Sequence, residues 1–285
     1  MIIEQRYNNN KNHAKLFSYL CIVKKEMELF EAEFAKVMSC ETLPMDKVVR
    51  YVSGSKGKRL RPLLVFQTAK LLGEINDATR RTALFVELVH TATLIHDDVV
   101  DGSDTRRGQP SVNKRWDNMT AVLAGDFLLS KAMLLLSDPA DHQILVEMLE
   151  TALAMSEGEL MQLRGESLEV RSESEAVQDY LDIINRKTAR LIRACCVGGA
   201  LSVGAPQALI DKVGDFGLNL GLVFQMRDDT LDDDNPAITA MVKRLLPMYL
   251  DKAMKSLSVL EPMAKNVAAL DELRALTLFC AERVV

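Results

Sequence analysis

An all-α fold is what this sequence predicts, on three observations. Apolar residues recur at helical spacing almost without a break, runs alternating at the two-residue period of a strand are scarce, and connections between helical stretches are short. The one Asp-Gly pair, Asp101-Gly102, has no alternating apolar runs beside it to build a hairpin. At 285 residues, 48% hydrophobic and 26% charged, the chain can bury a sizeable core.

The periodicity predicts helices over about 12–40, 58–73, 77–102, 118–137, 140–169, 173–204, 207–233, 237–260 and 266–284. Gly73 closes the second of these, and Ser172 with Glu175 forms a capping box ahead of the sixth. Gly204 and Pro206 separate the sixth from the seventh. One loop is longer, Ser103–Val112, polar and carrying Arg106, Arg107, Gly108 and Pro110. No linker, compositional shift or low-complexity tract beyond Asn8–Asn10 divides the chain, so residues 1–285 are expected to form a single domain.

The totals exclude several classes. A net charge of −5 and a pI near 5.5 argue against nucleic acid as a partner. The opening residues are too polar for a secretory apolar region. The longest apolar runs are broken by Asp126 and Lys131, and by Gly199, Gly204, Pro206 and Gln207, so no transmembrane span is expected. Five cysteines without a Cys-x-x-Cys pair fit a reducing, cytoplasmic setting.

The chemistry is carried by a repetition. Asp97, Asp98 and Asp101 return far downstream as Asp228, Asp229 and Asp232, each set spelled Asp-Asp-x-x-Asp inside helix-patterned sequence. The first and last aspartates of each set are four residues apart and project from one helix face. Carboxylates so close repel one another unless a counter-charge neutralises them, and a hard divalent cation such as Mg²⁺ suits oxygen ligands and bridges them to phosphates. Two facing sets would hold several ions around a diphosphate.

Basic residues accompany both sets. His90 shares the stripe of Asp97 and Asp101, seven residues being nearly two turns, while Asp98 lies about 100° off it, placed to orient a bound water or a basic neighbour. Arg106 and Arg107, beside Gly108, suit a diphosphate because the guanidinium fork grips phosphate oxygens in pairs. Gly57-Lys58-Arg59-Leu60-Arg61-Pro62 opens a helix as an anion site, without the spacing of a nucleotide-binding phosphate loop. Lys187-Thr188 lies mid-helix and on spacing alone is surface.

These strings together resemble the trans-prenyltransferases, the all-α isoprenyl diphosphate synthases. Leu94-Ile95-His96-Asp97-Asp98-Val99-Val100-Asp101 followed by Arg106-Arg107-Gly108 is similar to that family's first aspartate-rich motif, and Phe224-Gln225 with Asp228-Asp229-x-x-Asp232 to its second. Gly57-Lys58-Arg59 and Lys187-Thr188 are similar to its remaining diphosphate-binding elements. The resemblance runs from about Lys47 to Asp234 and, among medium- and long-chain members, is to octaprenyl and heptaprenyl diphosphate synthases. It implies a helical bundle around a central active-site cavity, the isoprenoid synthase fold.

The resemblance also implies roles. Asp97, Asp101, Asp228 and Asp232 would ligate about three Mg²⁺ ions once substrate is bound. Asp98 and Asp229 would assist them. Arg106, Lys187 and Gln225 would hold an allylic diphosphate such as farnesyl diphosphate, with Thr188 and Phe224 beside them. Gly57, Lys58, Arg59, His90 and Arg107 would bind isopentenyl diphosphate. Gln162, in Gly158-Glu159-Leu160-Met161-Gln162, is similar to another segment lining the site. The implied reaction is an Mg²⁺-assisted ionisation of the allylic C–O bond, attack by the isopentenyl double bond and loss of a proton. A homodimer is implied, and transient membrane contact for release of product.

The family continues after its second motif into a lid with a Gly-Lys pair, whereas here Asp232-Asp233-Asp234 runs straight into Asn235-Pro236. Either the lid is lost or the sequence leaves out residues of a mobile segment. The second is expected, because an unliganded lid is the segment most prone to open. Product length would be set by the wall N-terminal to Asp97. Ala92 and Thr93 are small, and Val89 and Val86 continue without a bulky plug, which predicts a medium-to-long chain of the kind used for quinone side chains. Three other readings stand beside this one. A terpene cyclase would share one aspartate cluster but lacks the Gly-Lys-Arg element, a non-catalytic partner subunit would have lost aspartates, and a short-chain synthase would stop at farnesyl or geranylgeranyl diphosphate.

Overall fold

The computed structural model describes residues 22–55, 57–165, 172–232 and 236–282, without the side chains of 164, 165 and 232. The predicted start of the first helix and the junction at Asp234/Asn235 lie outside the described residues.

Helices dominate the described chain. They are α1 (Lys24–Val37), α2 (Leu43–Gly54), α3 (Leu60–Leu72), α4 (Asp77–Val100), α5 (Val112–Arg115), α6 (Asn118–Leu135), α7 (His142–Gly165), α8 (Glu173–Ile184), α9 (Arg190–Ser202), α10 (Gln207–Asp232), α11 (Pro236–Leu260) and α12 (Val267–Glu282). A π-helical segment, Asn185–Ala189, joins α8 to α9. The strands β1 (Thr105–Arg106) and β2 (Gln109–Pro110) form a small antiparallel pair.

Local chemistry sets several helix starts. Asn76 accepts from the Thr79 N–H while the Thr79 side chain accepts from the Asn76 N–H, capping α4. Ser172 and Glu175 make the predicted box at α8. The Asp117 carboxylate accepts from the Thr120 N–H at 2.6 Å and opens α6.

Four expectations are corrected. Helix α2 falls where the sequence suggested a loop, because its apolar pattern lasts only three turns and buries only Val48 and Val49. The Ser103–Val112 loop holds a hairpin, set by positive φ at Arg107 (52°) and Gly108 (75°), the backbone a two-residue turn demands. The 173–204 helix is interrupted by the π segment. Helix α3 starts at Leu60 rather than 58, since Arg59 adopts the left-handed conformation ahead of it.

The core is one large cluster in which Phe30, Phe66, Leu64, Leu88, Leu128, Leu191 and Phe216 are fully buried. Truncating one such phenylalanine to Ala would cost about 3–5 kcal/mol. A smaller cluster of Ile184, Ala189, Leu222, Met226 and Val242 binds α8, the π segment, α10 and α11. Helix α6 turns Ala121, Ala124, Gly125, Leu128 and Ala132 inward and packs extensively on α4. Its other side exposes Met119, Val122, Leu123, Met133 and Leu134. By length and composition alone α6 is apolar enough to cross a membrane, with 28% of it buried.

Candidate active site

The first acidic set sits at the end of α4, where the three aspartates meet different surroundings. Asp98 is 3% exposed and accepts from Arg106 Nε at 2.8 Å, with a second, shorter contact from Nη2. The hairpin turns Arg106 back onto α4, and Asn113 Nδ2 donates to the Asp98 carbonyl at 3.1 Å. Asp98 is thus paired with a basic neighbour, one of the two roles its angular offset left open. Asp97 has no such partner. Burial, then the nearby Glu159 carboxylate, push it up to about 6, with Asp101 adding to the repulsion and Lys187 and Arg106 opposing it. Asp101 caps the helix and is exposed, its N–H donating to the Asp97 carbonyl.

The expected anion site ahead of α3 divides in two. Arg59 is buried and engaged by carboxylates, with Nη1 2.6 Å from Glu87 and Nε 3.0 Å from Glu31. Its guanidinium stacks 4.3 Å from the Phe34 ring. Arg59 is therefore tied into the protein rather than turned to a ligand. Arg61, which sequence reasoning passed over, has a buried Nε with no hydrogen-bond partner. Burial lowers its pKa most, and it lies within the fields of Glu87, Arg107 and Asp228. Lys58 is exposed.

Gly57 lies against Arg107, where a Cβ would fall 2.9 Å from Nη1, so only glycine leaves this guanidinium its place. Arg107 Nη1 also donates to the Ser55 carbonyl at 3.2 Å. Burial first, then the fields of Arg61, Arg107, Arg59 and Arg106, hold His90 well below the usual imidazole range. It is a neutral imidazole in a basic corner.

The π segment supplies the centre. Two glycines let helices press on it: a Cβ at Gly158 of α7 would lie 2.8 Å from the Lys187 nitrogen, and one at Gly221 of α10 would lie 2.5 Å from the Ala189 Cα. π bulges recur at functional sites because the extra residue redirects side chains. Lys187 Nζ contacts Glu159 at 2.8 Å and donates to Gln162 at 3.1 Å, on the side of the first acidic set. Thr188 donates to Gln225 Oε1 at 2.7 Å, on the side of the second. Gln225 Nε2 in turn donates to Asp229 Oδ1 at 2.8 Å, and Tyr180 donates to Asp229 Oδ2 at 2.5 Å. Phe224 is partly buried against the core. Asp228 is half-buried, α10 ends at Asp232, and the Asp232 side chain lies outside the described residues.

Sequence reasoning missed Arg61, Glu159 and Tyr180. Arg61 follows Arg59 by two residues in the same basic string, and Glu159 stands three before Gln162 on α7, so the string and the helical spacing could have flagged them. Nothing in the sequence singles out Tyr180.

The donor set fits a hard cation. Burial and the neighbouring Glu159 and Asp101 carboxylates raise the cost of ionising Asp97, a cost a divalent ion would remove. Among the described residues no three His, Cys, Asp or Glu groups close on one point. Carboxylate oxygens are donors that a hard divalent ion takes, with phosphate oxygens completing its shell.

A family model described as polyprenyl synthetase matches residues 43–239. Heptaprenyl diphosphate synthase component 2 of Geobacillus stearothermophilus is 32% identical over 221 residues, 76% of this chain and 67% of that protein. The octaprenyl diphosphate synthase of Escherichia coli is 31% identical over 211 residues, 74% of this chain and 64% of that protein. The all-trans-nonaprenyl-diphosphate synthase (geranyl-diphosphate specific) of Rhodobacter capsulatus is 39% identical over 195 residues, 67% of this chain. The matched part spans only 58% of that protein's length. Among solved structures, the polyprenyl synthase of Caulobacter crescentus, complexed with calcium and isoprenyl diphosphate, superposes with a TM-score of 0.81 and 27% identity over 95% of this chain and 98% of that one. A decaprenyl diphosphate synthase from Rhodobacter capsulatus gives 0.82 and 26% over 95% and 99%.

Proposed function

The chain belongs to the polyprenyl synthetase family, and on that premise we propose that it is a trans-polyprenyl diphosphate synthase. It condenses isopentenyl diphosphate onto an allylic diphosphate and makes a medium- or long-chain product. One observation carries the reading. The π segment brings Lys187 within the field of Asp97 at one acidic helix end and bonds Thr188 to Gln225 beside the other, while Asp228 reaches Arg61 through its field.

Asp97 and Asp101 on one helix, Asp228 and Asp232 on the other, would hold the Mg²⁺ ions. Bound there, Mg²⁺ supplies Lewis-acid stabilisation of the departing diphosphate. Lys187 and Arg106 grip the allylic diphosphate, whose arrival draws Lys187 from Glu159, with Gln225 and Thr188 beside it. Arg61 takes the isopentenyl diphosphate with Lys58, Arg107 and Gly57, and Arg59 supports that corner from behind. Neutral His90 donates a hydrogen bond without adding charge. Fixed donors of this kind stabilise charge as it develops, usually the largest catalytic contribution. The proton lost after the condensation passes to the released diphosphate.

A homodimer is consistent with the apolar faces of α6 and α7, where Met119, Leu134, Leu153 and Leu160 are exposed. A second reading, a subunit of a heteromeric synthase, is favoured by the relative named component 2. Free thiols at Cys40, Cys195 and Cys196 agree with a cytoplasmic setting. Incubation with isopentenyl diphosphate, farnesyl diphosphate and Mg²⁺, with products resolved by length, tests the function. Incorporation that stops on chelation supports it, and no incorporation by the native protein defeats it. The native protein is expected to weigh more than 31.8 kDa, by a lid between Asp234 and Asn235, which intact-mass spectrometry checks.

A further inference from the structure

Tyr180 is the side chain at the second acidic set that the roles above leave unused. It stands on α8, eight residues before Thr188, with its ring packed against the small cluster containing Leu222 and Met226 of α10. Its hydroxyl donates to Asp229 Oδ2 at 2.5 Å, Gln225 Nε2 donates to Oδ1 at 2.8 Å, and Thr188 donates to Gln225 Oε1 at 2.7 Å. One turn of α10, from Gln225 to Asp229, is therefore gripped at both ends by the continuous stretch running from α8 through the π segment.

Both oxygens of Asp229 are engaged by neutral donors. Asp228, one residue earlier, projects about 100° away on the helix, into the space where its field reaches Arg61. We propose that Tyr180 is a positioning residue for the prenyl transfer. By holding Asp229 through its hydroxyl, it sets the rotation of the last turn of α10 and aims Asp228 at the cations bound with diphosphate. Asp229 serves as the handle and Asp228 as the ligand. The inference rests on the prenyl-transfer reading.

The test is Tyr180→Phe, which removes one oxygen and keeps the ring. Three readouts are taken on the full native chain: turnover, the affinity for Mn²⁺ in the presence of inorganic diphosphate by electron paramagnetic resonance, and Tm. Mn²⁺ affinity and kcat are each expected to fall about tenfold, the scale for losing an outer partner of a metal ligand. KM for isopentenyl diphosphate and Tm should stay close to those of the unaltered protein. The Tyr180→Phe/Asp229→Ala double variant should bind Mn²⁺ no more weakly than Asp229→Ala alone. Unchanged Mn²⁺ affinity and kcat in Tyr180→Phe, or losses that multiply in the double variant, would overturn the proposal. Should the Phe variant not fold, Asp229→Ala carries the test, since it removes the acceptor and keeps the ring, and unchanged Mn²⁺ affinity there overturns it too. An unaltered protein that binds Mn²⁺ but incorporates no isopentenyl diphosphate defeats the functional reading instead.

Discussion

At the end of α4, Asp98 is buried against the Arg106 guanidinium, and Asp97 is left among carboxylates with its pKa pushed up to about 6. At the end of α10, Asp229 is held by the hydroxyl of Tyr180 and the amide of Gln225, both uncharged. The same five-residue spelling is thus balanced in two ways. A cation delivered by the adjoining hairpin neutralises one carboxylate of the first set. In the second set Asp229 is oriented by hydrogen bonds, from Tyr180 of α8 and from Gln225 one turn earlier on α10. In both, the middle aspartate is held by neighbouring side chains.

That comparison breaks first if the outer aspartates are not equivalent. Asp97→Ala and Asp228→Ala should each lower turnover by roughly 10²–10³ or more, the scale for one lost electrostatic contact. Folding should survive, since removing a carboxylate relieves repulsion. Near-normal turnover by either variant with Mg²⁺ present would end the shared assignment.

The middle aspartates should differ in stability rather than in kind. Asp98→Ala leaves Arg106 without its buried partner and should cost about 2–3 kcal/mol in urea unfolding, reduced from the cost of a fully buried pair because Arg106 is part-exposed. Asp229→Ala leaves neutral donors that can turn to water and should cost about 1 kcal/mol. Equal costs would mean that the kind of partner does not matter.

The pH dependence sharpens the contrast further. Asp97 keeps its proton up to about 6 when folded, against an ordinary value of 3.8. Between those values the unfolded chain binds fewer protons, so this group lowers stability as pH rises through the window, and the loss persists above it. In chelator, Asp97→Asn should flatten that fall and be more stable at pH 7 by about 1 kcal/mol after discounting for partial exposure. A melting curve across pH 4–8 that is parallel to that of the unaltered protein would refute the desolvated carboxylate.

The smallest expected effect on rate concerns the wall of α4 and reads out in product length. Thr93 lies about 40° from Asp97 around the helix, whereas Ala92 lies about 140° away, toward His96, whose ring presses on Gly125 of α6. Thr93→Phe should therefore shorten the product more than Ala92→Phe, which should chiefly cost stability because Ala92 is fully buried. Equal shortening by both would place the tunnel wall differently.

Helix periodicity, the capping box at Ser172 and the two aspartate sets were legible in the sequence because each depends on residues within a few positions of one another. Spacing put Asp97, Asp101 and His90 on one stripe and Asp98 off it. Spacing did not show that Arg59 is bound by Glu31 and Glu87, 28 residues away on either side, nor that Arg61 is the arginine with a buried Nε left without a partner. The hairpin escaped because its turn rests on two positive φ angles, one of them at an arginine.

By itself, then, the sequence determined an all-α chain with two four-residue-spaced carboxylate sets and the cations near them, since helical geometry makes such spacings local facts. Only the tertiary structure decided which charges oppose which. Glu159 meets Lys187 and repels Asp97, Tyr180 meets Asp229, and Arg106 folds back on Asp98. The physical reason is that Coulomb and hydrogen-bond energies depend on distance through space and on the water excluded between groups. Those distances are set by how α4, α7, α8 and α10 pack around the π segment.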